Sequence, residues 1–261
     1  MPGRLRAEKE GAIGWLVIDN PARLNAISSG MWGAVPEAMG RFDADPEVRL
    51  MILRGEGEKA FAAGADISEF DKARETSDKV SAYDDLLDQA LHAIQASEKP
   101  VIAMIRGYCM GGGVELSLAC DLRYCGDDAQ FAIPAARLGL AYGIPGTKLL
   151  VETVGQANAR EIFYTGRRYN AAEALAMGLV NRVLPVTELE AFVRKIAAGI
   201  ADSAPLSIAA SKILIQEFVR PDGEPDLGKA AAAMERCALS EDYLEGRKAF
   251  MEKRKPRFRG R

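Results

Sequence analysis

The stretch GYCMGGGVELSLAC, residues 107–120, carries one formally charged side chain, Glu115. A carboxylate in so apolar a run is costly to bury unless it is paired, hydrogen-bonded or protonated, and such groups gather at functional sites. The plainer alternative is a structural ion pair with an arginine. Ahead of Glu115 a predicted strand, VIAMI, runs into Gly111-Gly112-Gly113, which opens an apolar helix. Amides at such a turn face outward and favour negative charge. No Lys-Ser/Thr pair ends the triple glycine, so it is not a phosphate loop, and its spacing does not fit a dinucleotide fingerprint. A second turn of small residues, Ala62-Ala63-Gly64-Ala65, stands directly before Asp66-x-x-Glu69, a spacing that suits a helix N-terminus. Small side chains let a ligand approach the backbone, and the N–H of Ala65 could donate to a developing oxyanion. Taken alone, an ordinary capped turn is the commoner reading.

Other chemistries have few carriers. Ser-His-Asp, Cys-His and most zinc sites need a placed imidazole. The single histidine, His92, lies in a segment where Val80, Tyr83, Leu87, Leu91 and Ile94 recur at helical spacing, so it reads as a surface or boundary residue of a helix. Cys109, Cys120, Cys125 and Cys237 are too sparse for a disulfide scaffold in 261 residues and lack paired metal-ligand spacing; a reducing, cytoplasmic location is expected. A net charge of -3 argues against the positive field of a nucleic-acid binder. The basic end EKRKPRFRGR reads equally as a solvated tail that frays or as a functional one. Charges interrupt every apolar run, so neither a leader nor a membrane span is expected.

Elements must hold these residues in place. AIGWLVID (12–19), VRLMILRG (48–55) and VIAMI (101–105) are short apolar runs bounded by Gly, Pro or Asn, with helical patterns between them, which predicts an α/β fold. From Asn170 onward the signals turn helical. Asn170-x-x-Glu173 and Thr187-x-x-Glu190 resemble capping boxes, Gly178 is a helix stop, and LVNRVLP is a short strand between helices. A boundary near residue 200 separates a core over 1–200 from a helical region over 201–261 with apolar stripes. No repeat of fixed period is visible.

Taken together, NPARLNA (20–26), AFAAGADISEF, GYCMGGGVELSLACDLRYC, GRRYNAAEALAMGLVNRVLP (166–185) and SEDYLEGRKAFMEKRKPRF (240–258) resemble the enoyl-CoA hydratase/isomerase, or crotonase, family across nearly the whole chain. The resemblance implies a spiral of ββα units with a helical C-terminal trimerisation region, and a homotrimer or a hexamer of two trimers. It implies an acyl-CoA thioester whose oxygen is held by the amides of Ala65 and Gly112, with no cofactor beyond the coenzyme A of the substrate and no metal. Glu115 matches the first of two hydratase glutamates. At the second, AQFAIPAARLGLAYG (129–143) has Pro134 followed by Ala135, and alanine moves no proton. Gly143 stands where some dienoyl-CoA isomerases carry an aspartate. Tyr142 is the nearby side chain with an exchangeable proton that could substitute, and its other reading is pocket packing. By the same resemblance Ala63, Asp66, Ile67 and Ser68 line the pantetheine path, Gly111 and Ala135 complete the substrate pocket, and Arg23 lies near the nucleotide. Phe250 and Lys253 reach the nucleotide end of a neighbouring subunit's ligand. The expected activity is that of an enoyl-CoA hydratase-like lyase using Glu115 as acid/base. Isomerase, thioesterase or decarboxylase chemistry on the same oxyanion hole, or acyl-CoA binding with little turnover, are the alternatives.

Overall fold

Apolar runs without polar alternation become strands covered on both faces. The computed structural model describes residues 3–69, 77–219 and 224–261, except the side chains of 77–80, so Val80 of the predicted helix face lies outside the described side chains. One sheet holds β1 (Arg4–Glu10), β2 (Ile13–Asp19), β3 (Leu50–Gly55), β5 (Val101–Ile105), β7 (Leu122–Gly126) and β10 (Arg182–Leu184), in that order. All neighbours are parallel except the β1–β2 hairpin. A second sheet runs β4 (Ala60–Ala62), β6 (Tyr108–Met110), β8 (Gln130–Ala132) and β9 (Tyr169–Asn170), antiparallel only at its β9 end.

The helices are α1 (Ser29–Ala44), α2 (Ser77–Ala96), α3 (Gly112–Ala119), α4 (Ile144–Thr165), α5 (Ala171–Ala176), α6 (Val186–Ala201), α7 (Pro205–Phe218), α8 (Leu227–Ala238) and α9 (Glu241–Met251). Three times the chain runs along the large sheet, turns a corner into the small sheet and proceeds to a helix: β3-β4-α2, β5-β6-α3 and β7-β8-α4. This is the crotonase-like ββα spiral. At the corner after β5, Gly107 sits at φ +56°, and any side chain there would strike the Lys59 carbonyl. The large sheet separates two layers by simple alternation. Trp15, Val17, Leu50, Ile52, Ile102 and Met104 pack with Leu189, Val193 and Ala197 of α6. Their alternates Leu16, Ile18, Met51, Leu53, Ala103 and Ile105 enter the larger core shared with α1 to α4.

Several local expectations change. β1 carries charges through an exposed edge strand, which hides its strand character in the sequence. The Asn170–Glu173 capping box forms, with both bonds at 2.9 Å, and Gly178 turns at φ +78° after α5. Thr187 does not cap α6. That helix starts at Val186, whose N–H is taken by the Asp127 carboxylate at 3.0 Å, a partner 59 residues away. The basic end is tied down rather than frayed: Arg254 pairs with Glu245 at 2.6 Å, Lys255 with Asp202 at 2.6 Å, and Asp242 takes the N–H groups of Arg259 and Gly260. His92 is exposed on α2, and the four cysteines are unpaired. No single helix among the described residues is long and apolar enough to cross a membrane.

Candidate active site

The NPARLNA turn explains how the first amide is freed. Asn25 adopts φ +56°, a left-handed conformation that asparagine tolerates. Its Oδ1 accepts the Asn20 N–H at 3.0 Å, and its Nδ2 donates to the carbonyls of Glu56 and Ala60 at 2.9 and 2.7 Å. The turn then grips the next motif. Ala63 N–H donates to Leu24, Ile27 N–H donates to Gly64, and Asp66 N–H donates to Ile27, all at 2.8 to 2.9 Å. The backbone is held on both sides of Ala65, whose own N–H meets no acceptor among the described residues.

The glycine-rich turn supplies a second free amide beside it. Gly111 N–H donates to Ala132 at 2.8 Å, and the Gly111 carbonyl accepts the Glu115 N–H at 3.1 Å. Gly112 opens α3, so its N–H has no partner within the helix, nor another among the described residues. The two turns lie edge to edge. Gly64 sits at φ +104°, and a Cβ on it would come 3.2 Å from the Met110 carbonyl oxygen and 3.8 Å from the Gly112 nitrogen. A Cβ on Gly112 would come 3.5 Å from the Ala65 nitrogen and 3.0 Å from the Trp32 ring beneath.

Both turns line one cavity of about 180 Å3. Of the sequence candidates it gathers Ala63, Ala65, Ile67, Gly111, Gly112, Glu115, Ala135 and Tyr142. Glu115 is 3% exposed, and its carboxyl takes no hydrogen bond or ion pair from a described residue. The structural pairing with arginine therefore does not form. Gly146, in the first turn of α4, makes room for it, since any side chain there would run into the carboxylate. Burial pushes the Glu115 carboxyl up to about 8, and the negative charges of Asp88 and Asp84 raise it further toward that value. This shift favours its protonated form at neutral pH.

Tyr142 lines the cavity with its hydroxyl engaged. Its hydroxyl donates to the Gly111 carbonyl at 3.0 Å, and its ring packs 5.3 Å from that of Phe163. Burial holds the phenol well above its ordinary value. That bond braces the glycine turn, and the ring contact fits the pocket-packing reading. Ala135 begins a 3-10 turn (Ala135–Leu138) on the cavity wall, so no acid stands there.

Arg23, Asp66 and Ser68 form a polar knot outside the cavity. Arg23 donates to the Asp66 carboxylate and to Ser68 Oγ, each at 2.6 Å. The Ser68 hydroxyl first, and then Arg23, holds the Asp66 carboxyl below its usual value against the effect of burial. At the expected helix start after Asp66 the chain forms a 3-10 turn, Ile67–Glu69, and Glu69 accepts the Ser29 N–H at 2.7 Å at the start of α1; the residues that follow lie outside the described ones. Phe250 and Lys253, at the end of α9, are exposed and do not line the cavity.

The structure adds two residues that the sequence reading passed over. Asp84 and Asp88 of α2 line the same cavity beside Tyr83 and Leu87. Their four-residue spacing, parallel to that of the apolar pair, was the available signal. A wider hollow of about 1000 Å3 lies between α6, α9 and the basic end, where Lys255 pairs with Asp202 and Arg254 with Glu245. Among the described residues no three His, Cys, Asp or Glu side chains gather as metal ligands.

Comparison with known proteins agrees with this fold. The profile of the family described as enoyl-CoA hydratase/isomerase matches residues 8–261. A short-chain-enoyl-CoA hydratase of Clostridium acetobutylicum is 35% identical over 95% of this chain and 94% of its own. A peroxisomal Delta(3,5)-Delta(2,4)-dienoyl-CoA isomerase of Arabidopsis thaliana is 34% identical over 97% and 95%. The crystal structure of an enoyl-CoA hydratase/carnithine racemase from Magnetospirillum magneticum superposes with a TM-score of 0.92 at 36% identity, covering 98% of this chain and 96% of that one. The chain belongs to the enoyl-CoA hydratase/isomerase family.

Proposed function

We propose that the chain is an acyl-CoA enzyme of the hydratase/isomerase type, with Ala65 and Gly112 forming the oxyanion hole and Glu115 moving the proton. One observation carries this: two unsatisfied amides from separate turns open on the cavity that also holds a buried, unpaired, protonated carboxyl. A thioester oxygen accepting both N–H groups takes on enolate charge, and preorganised donors in a water-poor site stabilise it strongly. Glu115 then exchanges a proton with the α-carbon. Ala63, Ile67 and Gly111 form the narrow wall along which the pantetheine arm leaves. The Arg23–Asp66–Ser68 knot marks the polar edge toward the nucleotide.

The second reading within this chemistry is double-bond isomerisation, favoured by Ala135, because a one-carboxyl proton shuttle needs no second acid on that wall. The discriminating experiment incubates the protein with 2-enoyl, 3-enoyl and dienoyl thioesters of coenzyme A and assigns products by mass and absorbance. Hydration or isomerisation that falls by a factor of about a hundred or more in Glu115→Gln is expected. Full activity in that variant overturns the assignment.

The proposal extends to assembly. The C-terminal helices leave Ile215, Phe218, Leu239, Leu244, Phe250 and Met251 exposed, which fits burial between subunits of a trimer or a dimer of trimers. In that assembly Phe250 and Lys253 reach a neighbour's ligand. Sedimentation as a trimer or hexamer is expected, and a stable monomer would remove this part.

A further inference from the structure

We propose that Asp88, on α2, is the second carboxylate of this site, taking a proton from water while Glu115 donates one to the substrate. The inference rests on the acyl-CoA function proposed for the site and assigns its missing partner. By the family resemblance the second hydratase glutamate falls at Ala135, which lies on the cavity wall and has no proton to move. Helix α2 supplies carboxylates from elsewhere. It lays Tyr83 and Leu87 along the cavity and, beside them at the same spacing, Asp84 and Asp88. With Glu115 these are the carboxylates among the described lining residues. Tyr83 and Tyr142 are the other titratable groups there, and no lysine, arginine or histidine joins them.

Protonation divides the labour. Glu115 is buried beside the two free amides, and its carboxyl is pushed up to about 8, which suits a proton donor to the α-carbon. Asp88 is exposed at the mouth, where a captured proton returns to solvent. Partial burial and the charges of Asp84 and Asp85 raise its carboxyl above the ordinary aspartate value, which makes it a better base. Of the two aspartates, Asp88 stands one turn further along α2, toward the fully buried Ala90 and Leu91, and it is the one assigned.

The step balances. Asp88 takes one proton from a water whose oxygen bonds to the β-carbon. The π pair of the double bond shifts to the α-carbon and the thioester oxygen held by Ala65 and Gly112. Glu115 gives its proton to the α-carbon. One water is added across the double bond, and solvent at the mouth carries the proton from Asp88 back to Glu115.

The test separates this step from the function beneath it. Exchange of the α-protons of butyryl-CoA in D2O needs the amides and Glu115, whereas hydration of crotonyl-CoA needs Asp88 as well. Both are followed against pH for wild type, Asp88→Asn, Asp88→Glu and Glu115→Gln. Asp88→Asn is expected to lose hydration by about 10²- to 10⁴-fold while exchange persists. The rise of exchange with pH, which reports ionisation of Glu115, moves to lower pH in that variant because a negative neighbour has gone. Asp88→Glu recovers part of the hydration. Hydration in Asp88→Asn at the wild-type rate, or loss of exchange and hydration together, overturns the assignment of Asp88. Absence of both reactions in wild type overturns the acyl-CoA function itself.

Discussion

Among the described residues three carboxylates are buried to the same 3% exposure, yet they live in opposite circumstances. Asp242, in the first turn of α9, accepts the N–H groups of Arg259 and Gly260 at 2.6 and 2.7 Å. Glu217, on α7, holds Lys229 at 3.0 Å and the Asp226 N–H at 3.2 Å. Glu115 holds nothing among the described residues and faces two further negative charges across a cavity. Burial alone therefore does not mark a functional acid. The mark is a buried acid whose surroundings leave its hydrogen-bonding capacity open, since folding selects against that arrangement unless something else gains from it.

The difference has a pH signature, and it is the largest stability effect expected. The Glu115 carboxyl is raised to about 8 in the folded chain from 4.5 in the unfolded one. The folded state keeps a proton that the unfolded state releases, so this contribution is full below about 4.5 and is lost as pH climbs toward 8. Denaturant melts at pH 5 and pH 8 should show Glu115→Gln gaining on wild type by on the order of 2–4 kcal/mol at the higher pH and little at the lower. Asp242→Asn is the opposite case. It exchanges an acceptor-only group for one that presents an NH2 to a backbone N–H, costing about 1–3 kcal/mol and exposing the basic end to proteolysis, with the proton chemistry of Glu115 untouched. Equal pH dependence of wild type and Glu115→Gln, or a stable Asp242→Asn, would dissolve the contrast.

The sequence made part of this legible. The apolar runs of β2, β3 and β5 announce themselves because strands buried on both faces need no alternation. Glu115 and its glycine turn stand out for the same reason, as a single charge in an apolar stretch. The short strands β4, β6 and β8 are three residues each, too brief for any period to show, so the ββα repeat was legible through the family resemblance and not through periodicity. Partners far apart in sequence were equally invisible. Asp127 starting α6, Glu69 turning to α1, and Asp84 with Asp88 entering the cavity all depend on how the spiral closes.

Tyr142 tests the contrast at its smallest scale, because the hydroxyl is a polar group in the cavity wall that is already satisfied. Tyr142→Phe removes one hydrogen bond to the Gly111 carbonyl, which keeps the Glu115 N–H as its other donor, and it preserves the ring against Phe163. The stability cost should be about 0.5–1.5 kcal/mol. Turnover should fall only severalfold, through a looser Gly112 amide, and the pH profile should keep its shape because no titrating group has been removed from the reaction. A hydroxyl that itself supplied the proton would cost about a hundredfold or more and would remove one limb of that profile. Steady-state kinetics of this variant across pH 5 to 9 therefore distinguishes a brace from an acid. A large loss would place Tyr142 with Glu115 among the groups held open for chemistry, and a small one leaves it with Asp242 among those the fold has already used.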